Sequence, residues 1–162
     1  MSFELDNELF QACNDNRESV MEEVRSLVMR GASVNTKNEN DTALIHLAAQ
    51  HNEYELTKFL IENGADVNAL TSDGWTALHF SAQKGYSQIS DLLIKSGVNV
   101  DIQGLRYHRT ALHYAADQGR VAIVQLIINS GGRTDLKDIS GSTALDIAKS
   151  KLHQEVVMLL SK

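Results

Sequence analysis

Apolar residues recur along the chain in short stripes separated by polar segments. In four segments they fall at positions i, i+3 and i+4, which places them on one face of an amphipathic helix. These stripes are Leu56/Phe59/Leu60, Ile89/Leu92/Leu93, Ile123/Leu126/Ile127 and Val156/Leu159/Leu160. A shorter apolar segment precedes each stripe and contains a small residue in register, at Ala48, Ser81, Ala115 and Ala148. The pattern predicts a series of units, each made of two short helices that lie close to the next unit.

A tetrapeptide in the first helix of each unit defines the period. It reads Thr76-Ala77-Leu78-His79 and recurs at 110–113, in a looser form at 43–46, and at 143–146 with Asp146 in place of histidine. The fourth residues of these copies are 33, 34 and 33 positions apart, and a fixed period in this range is typical of solenoid proteins. A left-handed turn between the two helices of a unit is expected where suitable residue types recur, at Asn52, Gly85 and Gly119.

In motif, period and coverage the chain resembles the ankyrin repeat, whose signature is T-P-L-H-x-A over 33 residues. The resemblance implies an all-α ankyrin-repeat solenoid of helix-turn-helix units joined by extended or hairpin loops. One domain over residues 1–162 is expected, with units at about 1–35, 36–68, 69–101, 102–135 and 136–162, the first and last being caps. The chain departs from the signature because it contains no proline. The loop before the fourth unit also has one extra residue, and His108 stands where two other loops have glycine.

Composition and charge narrow the class of protein. The 162 residues are 43% hydrophobic and 22% charged, which fits a folded domain and neither a disordered nor a membrane protein. The acidic N-terminus predicts no signal peptide, and a single cysteine, Cys13, predicts a reducing compartment, the cytoplasm or alternatively the nucleus. The net charge of −6 argues against a general nucleic-acid surface, which needs Lys and Arg to displace counterions. A monomer without membrane contact is expected.

His46, His79 and His113 could form a metal or catalytic set, but their spacing argues against it. Stacked helices lie about 8–10 Å apart, whereas zinc holds its nitrogen ligands at about 2.0–2.1 Å. Each histidine is therefore expected to bond locally, either to backbone or to a hydroxyl three residues earlier, and to brace the helix start. The threonines that begin the tetrapeptide, Thr76, Thr110 and Thr143, are likewise expected to be structural residues of the repeat. Neither a G-x-S-x-G elbow nor a phosphate-binding loop occurs, so we expect no enzyme activity and no cofactor or metal.

Trp75 is the residue that the repeat does not explain. The equivalent positions hold Thr42, Arg109 and Ser142, so the repeat does not require an aromatic side chain there. The resemblance places this position on the concave face, where ankyrin proteins bind protein partners. Aromatic and arginine side chains at such positions are typical of interface hot spots. The predicted partner-binding residues are Trp75, Arg106, Tyr107, Arg109, His51, Leu70, Lys84 and Asp117.

The loop tip Arg106-Tyr107-His108-Arg109 suggests a partner that presents carboxylates or phosphates beside an apolar anchor. Two other functions fit the sequence. Trp75 and Tyr107 could sandwich a nucleotide base, with Arg106, Arg109 and Lys84 on its phosphates. Alternatively, the chain could be a scaffold or assembly-chaperone subunit. Asn68 follows Leu60 at the spacing that asparaginyl hydroxylases accept in ankyrin proteins, so it is a possible hydroxylation site.

Overall fold

The computed structural model describes residues 2–15 and 20–162, and that part of the chain contains ten α-helices and no strand. The all-α repeat fold expected from the sequence is confirmed. Within the described residues the only strand-like pairing is an isolated antiparallel bridge between Lys37 and Ala43. The helices are α1 Ser2–Asn14, α2 Val20–Met29, α3 Leu44–Gln50, α4 Tyr54–Glu62, α5 Ala77–Lys84, α6 Ser87–Lys95, α7 Ala111–Asp117, α8 Val121–Asn129, α9 Ala144–Ser150 and α10 Gln154–Leu160.

The helices form five pairs, which we number as units one to five, and the pairs stack in two layers. The inner layer contains α1, α3, α5, α7 and α9, each packed on the next. The outer layer contains α4, α6, α8 and α10, which pack in the same order. Alanines on the inner helices, such as Ala82 and Ala115, have no exposed surface and let neighbouring helices approach closely. The periodic leucines and isoleucines, among them Leu60 and Ile127, fill the space between the layers.

The turn between the two helices of a unit has a left-handed residue in units two to five. Its φ is 61° at Asn52, 88° at Gly85, 65° at Gly119 and 62° at Leu152. A side chain at Gly119 would also meet the ring of His153, whose atoms lie 2.8–3.1 Å from an added Cβ. Glycine at position 119 therefore avoids both a strained left-handed conformation and a close contact with this ring.

A histidine joins each of three units to the unit that follows it. His79 Nδ1 accepts a hydrogen bond from the Thr76 backbone N–H at 3.0 Å, and Nε2 lies 3.2 Å from the carbonyl oxygen of Arg109, in the loop before unit four. A carbonyl oxygen only accepts, so Nε2 carries the proton and the ring is neutral. The equivalent carbonyl partners are Ala69 for His46 and Ser142 for His113. We refer to these three as the histidine bridges.

Asp146 occupies the histidine position in unit five and keeps only half of this arrangement. Its Oδ2 accepts hydrogen bonds from the Thr143 backbone N–H at 3.0 Å and from the Thr143 hydroxyl at 2.9 Å. A carboxylate has no proton to donate to a carbonyl. Asp146 therefore caps its own helix without forming a bridge.

The loops between units are hairpins that are hydrogen-bonded to one another at their tips. In each junction a backbone N–H of one tip donates to a carbonyl of the preceding tip. The bonds are Ser72 to Asn40 at 3.0 Å, Leu105 to Asp73 at 2.8 Å and Ile139 to Tyr107 at 2.9 Å. Neighbouring tips are thus held at fixed separations along one side of the solenoid.

Candidate partner-binding surface

Trp75 lies between a loop tip and the start of α5, and its backbone is held on both sides. The Thr71 N–H donates to the Trp75 carbonyl at 3.0 Å, and the Trp75 N–H donates to Thr71 Oγ1 at 3.2 Å. The indole is only partly buried. It stacks on His79 at a centroid distance of 5.7 Å and contacts Phe80 at 5.0 Å and Tyr114 at 4.7 Å. We call Trp75, Phe80 and Tyr114 the aromatic cluster.

Two members of the aromatic cluster, Phe80 and Tyr114, were not predicted from the sequence. Phe80 and Tyr114 each follow a motif histidine directly, where other units have Leu47 and Ile147. Tyr114 is buried, whereas Phe80 is half-buried beside Trp75. The sequence contains one signal for them. This repeat position holds an aromatic residue only in units three and four, the two units that flank the Trp75 ring.

Gly104 provides the space in which the Trp75 ring lies against the loop of unit four. An added Cβ at Gly104 would lie 3.1 Å from two atoms of the indole. In other loops the same position carries a side chain that caps its own hairpin, as Asp138 does by accepting hydrogen bonds from the N–H groups of Ser140 and Ser142. The loop of unit four therefore lacks this cap, and the indole occupies the space beside it.

Arg109, one of the predicted partner-binding residues, is only partly exposed and is paired with carboxylates of the protein itself. Its Nε lies 3.2 Å from Asp138 Oδ2, its Nη1 lies 3.9 Å from Asp117 Oδ1, and its guanidinium faces the Tyr114 ring at 5.8 Å. The side chains of Arg109 and Asp138 are only 27% and 3% exposed. Burial raises the pKa of Asp138, but hydrogen bonds from Ser142, Ser140 and Arg109 outweigh burial and hold the pKa below its usual value. Arg109 thus serves as the counterion of a buried carboxylate.

Arg109→Ala is therefore expected to reduce the free energy of unfolding by about 2 kcal/mol, because Asp138 keeps its backbone donors but loses its cation in a buried site. Urea denaturation at pH 7 measures this change. Arg106→Ala is the matched control, since Arg106 is exposed on the same loop, and it is expected to change the free energy by less than about 0.5 kcal/mol. Equal stabilities of the two variants would contradict the assignment.

The remaining predicted binding residues divide into exposed and internally paired groups. Arg106 and Tyr107 are exposed, and the Arg106 guanidinium covers the Tyr107 ring at 5.2 Å. Leu70 and Lys84 are also exposed. Asp117 is partly buried and paired with Arg109 and, at 3.8 Å, with Lys151. His51 is partly buried at the end of α3, and its Nδ1 is buried without a hydrogen-bond partner.

The arrangement does not favour the nucleotide sandwich. The Trp75 ring is stacked on His79 and bordered by Phe80 and Tyr114. Arg109 is already neutralised by carboxylates that would repel a phosphate.

The described residues contain no group of three or more His, Cys, Asp or Glu side chains that could hold a metal ion. Burial, with a smaller contribution from Glu23, raises the pKa of the Cys13 thiol to about 12, so this thiol is not activated as a nucleophile.

Asn68 belongs to a bridge between loops of successive units. Its Oδ1 accepts a hydrogen bond from the Asn99 N–H at 2.7 Å, and its Nδ2 lies 3.5 Å from the Gly97 carbonyl oxygen. Asn35 bonds to Asp66 and Gly64 in the same way one unit earlier. Hydroxylation of Asn68 stays a prediction, and an enzyme that modifies this side chain would first have to open the bridge.

The fold defines a helical repeat protein in which paired helices stack in two layers and successive loop tips are hydrogen-bonded to one another. The profile described as Ankyrin repeats (3 copies) matches the chain over residues 9–104, 45–138 and 103–162. The chain therefore belongs to the ankyrin-repeat family, whose members are in general protein–protein interaction modules. A search of curated proteins gives no match. None of the helices in the described residues is long and apolar enough to cross a membrane.

Proposed function

We propose that this chain is a non-enzymatic protein-interaction module that binds a macromolecular partner on the concave face formed by its inner helices and loop tips. The observation that carries the proposal is the partly exposed Trp75, held by Phe80, Tyr114 and His79 at a position where the repeat requires no aromatic residue. A tryptophan already held in one orientation loses little conformational entropy when a partner covers it. Tryptophan is also enriched among residues that dominate binding energy.

The burial and hydrogen bonding of the three motif histidines support the non-enzymatic part of the proposal. His46, His79 and His113 are buried, and each uses both ring nitrogens in hydrogen bonds. A general base needs a nitrogen that reaches the substrate, and these rings have none free. The cytoplasm or nucleus as the compartment is proposed from the single buried Cys13. A monomeric state is proposed because successive units bury their apolar faces on one another.

Affinity capture with the full chain tests the proposal. Wild type, Trp75→Ala and Glu62→Ala serve as baits, and retained proteins are quantified by mass spectrometry. Glu62 is exposed at the end of outer helix α4 and serves as the control. We expect a partner that wild type and Glu62→Ala retain and Trp75→Ala loses. With that partner purified, Trp75→Ala is expected to weaken binding by about 2 kcal/mol, roughly 30-fold.

A second variant separates loss of binding from loss of folding, because Trp75 is partly buried. Lys84 is exposed at the last turn of α5, the helix that carries Phe80, so Lys84→Glu alters the same face without removing packing. Circular dichroism establishes that each bait is folded before capture. A partner that binds Trp75→Ala and Lys84→Glu as tightly as wild type, but loses Glu62→Ala, would place the interface on the outer helices. Recovery of a fixed stoichiometric complex would indicate a scaffold or assembly subunit.

A further inference from the structure

The loop tips change chemical character along the solenoid. At the second position of the hairpin, units two and three carry Glu39 and Ser72, whereas units four and five carry Leu105 and Ile139. The charge changes in the same direction. Residues 1–68 contain thirteen acidic side chains and five Lys or Arg, whereas residues 102–162 contain eight Lys or Arg and five acidic side chains. The N-terminal units are therefore net acidic, with Glu39, Asp41 and Asp73 at their tips, whereas the last two units are net basic and have apolar residues at their tips.

Leu105, Arg106, Tyr107 and Ile139 form a continuous exposed group, which we call the tip ridge. Leu105, Tyr107 and Ile139 are 68%, 46% and 62% exposed. Tyr107 and Ile139 are joined through the hydrogen bond from the Ile139 N–H to the Tyr107 carbonyl at 2.9 Å. Exposed aliphatic and aromatic side chains at these tips do nothing for the helix core, and exposed apolar residues grouped on neighbouring tips are typical of interaction sites.

The extra residue of this loop is held in a defined hairpin. The Gly104 N–H donates to the Arg109 carbonyl at 3.0 Å, and the His108 N–H donates to the Gly104 carbonyl at 3.0 Å. Gln103 Nε2 donates to the carbonyls of His108 at 2.6 Å and Lys137 at 2.9 Å. The tip ridge is thus oriented before any partner arrives, which lowers the entropic cost of binding.

Arg106 differs from Arg109 in having no carboxylate partner within ion-pair distance among the described residues. Its guanidinium lies over the Tyr107 ring, 5.2 Å from the centroid, so the positive charge sits directly on one face of an exposed aromatic side chain. The nearby carboxylate of Asp138 is buried and already paired with Arg109. The tip ridge therefore combines an apolar surface with an uncompensated positive charge.

We infer that the tip ridge docks an acidic linear segment of the protein partner, one that carries a large apolar side chain among its carboxylates. The inference rests on the proposed function and names its partner class. Leu105 joins the tip ridge to the proposed concave face at Trp75, which we call the groove, since its Cγ lies 2.9 Å from the position of an added Cβ at Gly74, the residue before Trp75. Carboxylates of the segment pair with Arg106 and are repelled by Glu39, Asp41 and Asp73 at the acidic tips. The charge gradient thus fixes where the segment lies.

Selection from a phage library of random 16-residue peptides on the full wild-type chain tests the inference. The expected pool is enriched at least about twofold in Asp and Glu around a Phe, Leu or Trp, relative to the unselected library. The best peptide, synthesised and measured by fluorescence anisotropy, is expected to bind Arg106→Glu and Tyr107→Ala about tenfold more weakly. Arg133→Glu makes the same charge change on the exposed loop after α8 and is expected to leave affinity within about twofold.

The outcomes separate this inference from the proposed function. A pool without acidic enrichment, a basic pool or no selected peptides overturns the inference. If peptides without acidic enrichment bind wild type but do not bind Trp75→Ala, the groove of the proposed function is supported and the acidic partner class is not. If acidic peptides depend on Arg106 and Tyr107 but bind Trp75→Ala normally, the tip ridge stands and the groove does not. Equal weakening by Arg106→Glu and Arg133→Glu indicates unspecific charge attraction and also overturns the inference.

Discussion

Replacing His79 with alanine is expected to lower the free energy of unfolding by about 3 kcal/mol. The ring is 1% exposed, and its removal leaves the Thr76 N–H and the Arg109 carbonyl without their partner inside the stack. Each buried polar group left unpaired costs about 1–3 kcal/mol, and the lost packing against Trp75 adds to this. Urea denaturation followed by circular dichroism at pH 7 measures the loss.

Asp146→Ala is the matched control for this prediction. Asp146 occupies the same position of the repeat, is exposed and caps only its own helix, so its replacement is expected to cost about 1 kcal/mol. A His79→Ala variant that is no less stable than Asp146→Ala would show that the bridge contributes little. His79→Ala is also expected to disturb recognition, because Trp75 stacks on this ring. Binding is therefore compared only after the fraction of folded protein has been measured.

Lowering the pH from 6.5 to 4 is expected to destabilise the fold by at least about 3 kcal/mol. Burial lowers the pKa of His79 to about 4, and burial likewise lowers the pKa values of His46 and His113 from 6.5. Between these pKa values the unfolded chain binds protons that the folded chain does not. Stability is therefore complete above pH 6.5 and is lost as the pH falls. Urea denaturation at pH 7, 6, 5, 4.5 and 4 follows this loss.

A variant without the His79 imidazole isolates the contribution of this residue to the pH dependence. His79→Gln starts from a lower stability at pH 7, but its stability is expected to fall less steeply between pH 6 and pH 4.5. The carboxylates with lowered pKa values, including Asp138 and Asp146, contribute in a separate pH range. Their protonation destabilises the fold only below about pH 3.8. Parallel pH profiles for wild type and His79→Gln would refute the assignment of this range to the bridge.

The fold was predictable because its determinants are local in sequence. The i, i+3, i+4 stripes predicted the outer helices, and Gly85 and Gly119 predicted left-handed turns that the structure contains. The bond between the Thr76 N–H and His79 Nδ1 spans three residues and follows from helix-cap geometry. These interactions exist within one unit, so they could be inferred before the packing of the units was known.

The site was less predictable because its contacts join different units. Arg109 and Asp138 are 29 residues apart and meet only when the loops of units four and five lie side by side. Trp75 meets Tyr114 only because unit four stacks on unit three. Sequence reasoning identified Trp75 and Arg109 as unusual for the repeat but could not distinguish an exposed arginine from one paired with a buried carboxylate. The distinction depends on a carboxylate supplied by the neighbouring unit.

The histidine bridges have a consequence for cooperativity, because each makes the stability of one unit conditional on the next. His113 donates its Nε2 proton to the Ser142 carbonyl, so opening unit five would break this hydrogen bond and expose to water the surface that unit four buries against unit five. The same dependence passes back through His79 and His46. In a one-dimensional array, such nearest-neighbour terms couple units that are individually unstable. Disorder that begins at unit five is therefore expected to destabilise each preceding unit in turn, so we expect the array to unfold in one cooperative transition.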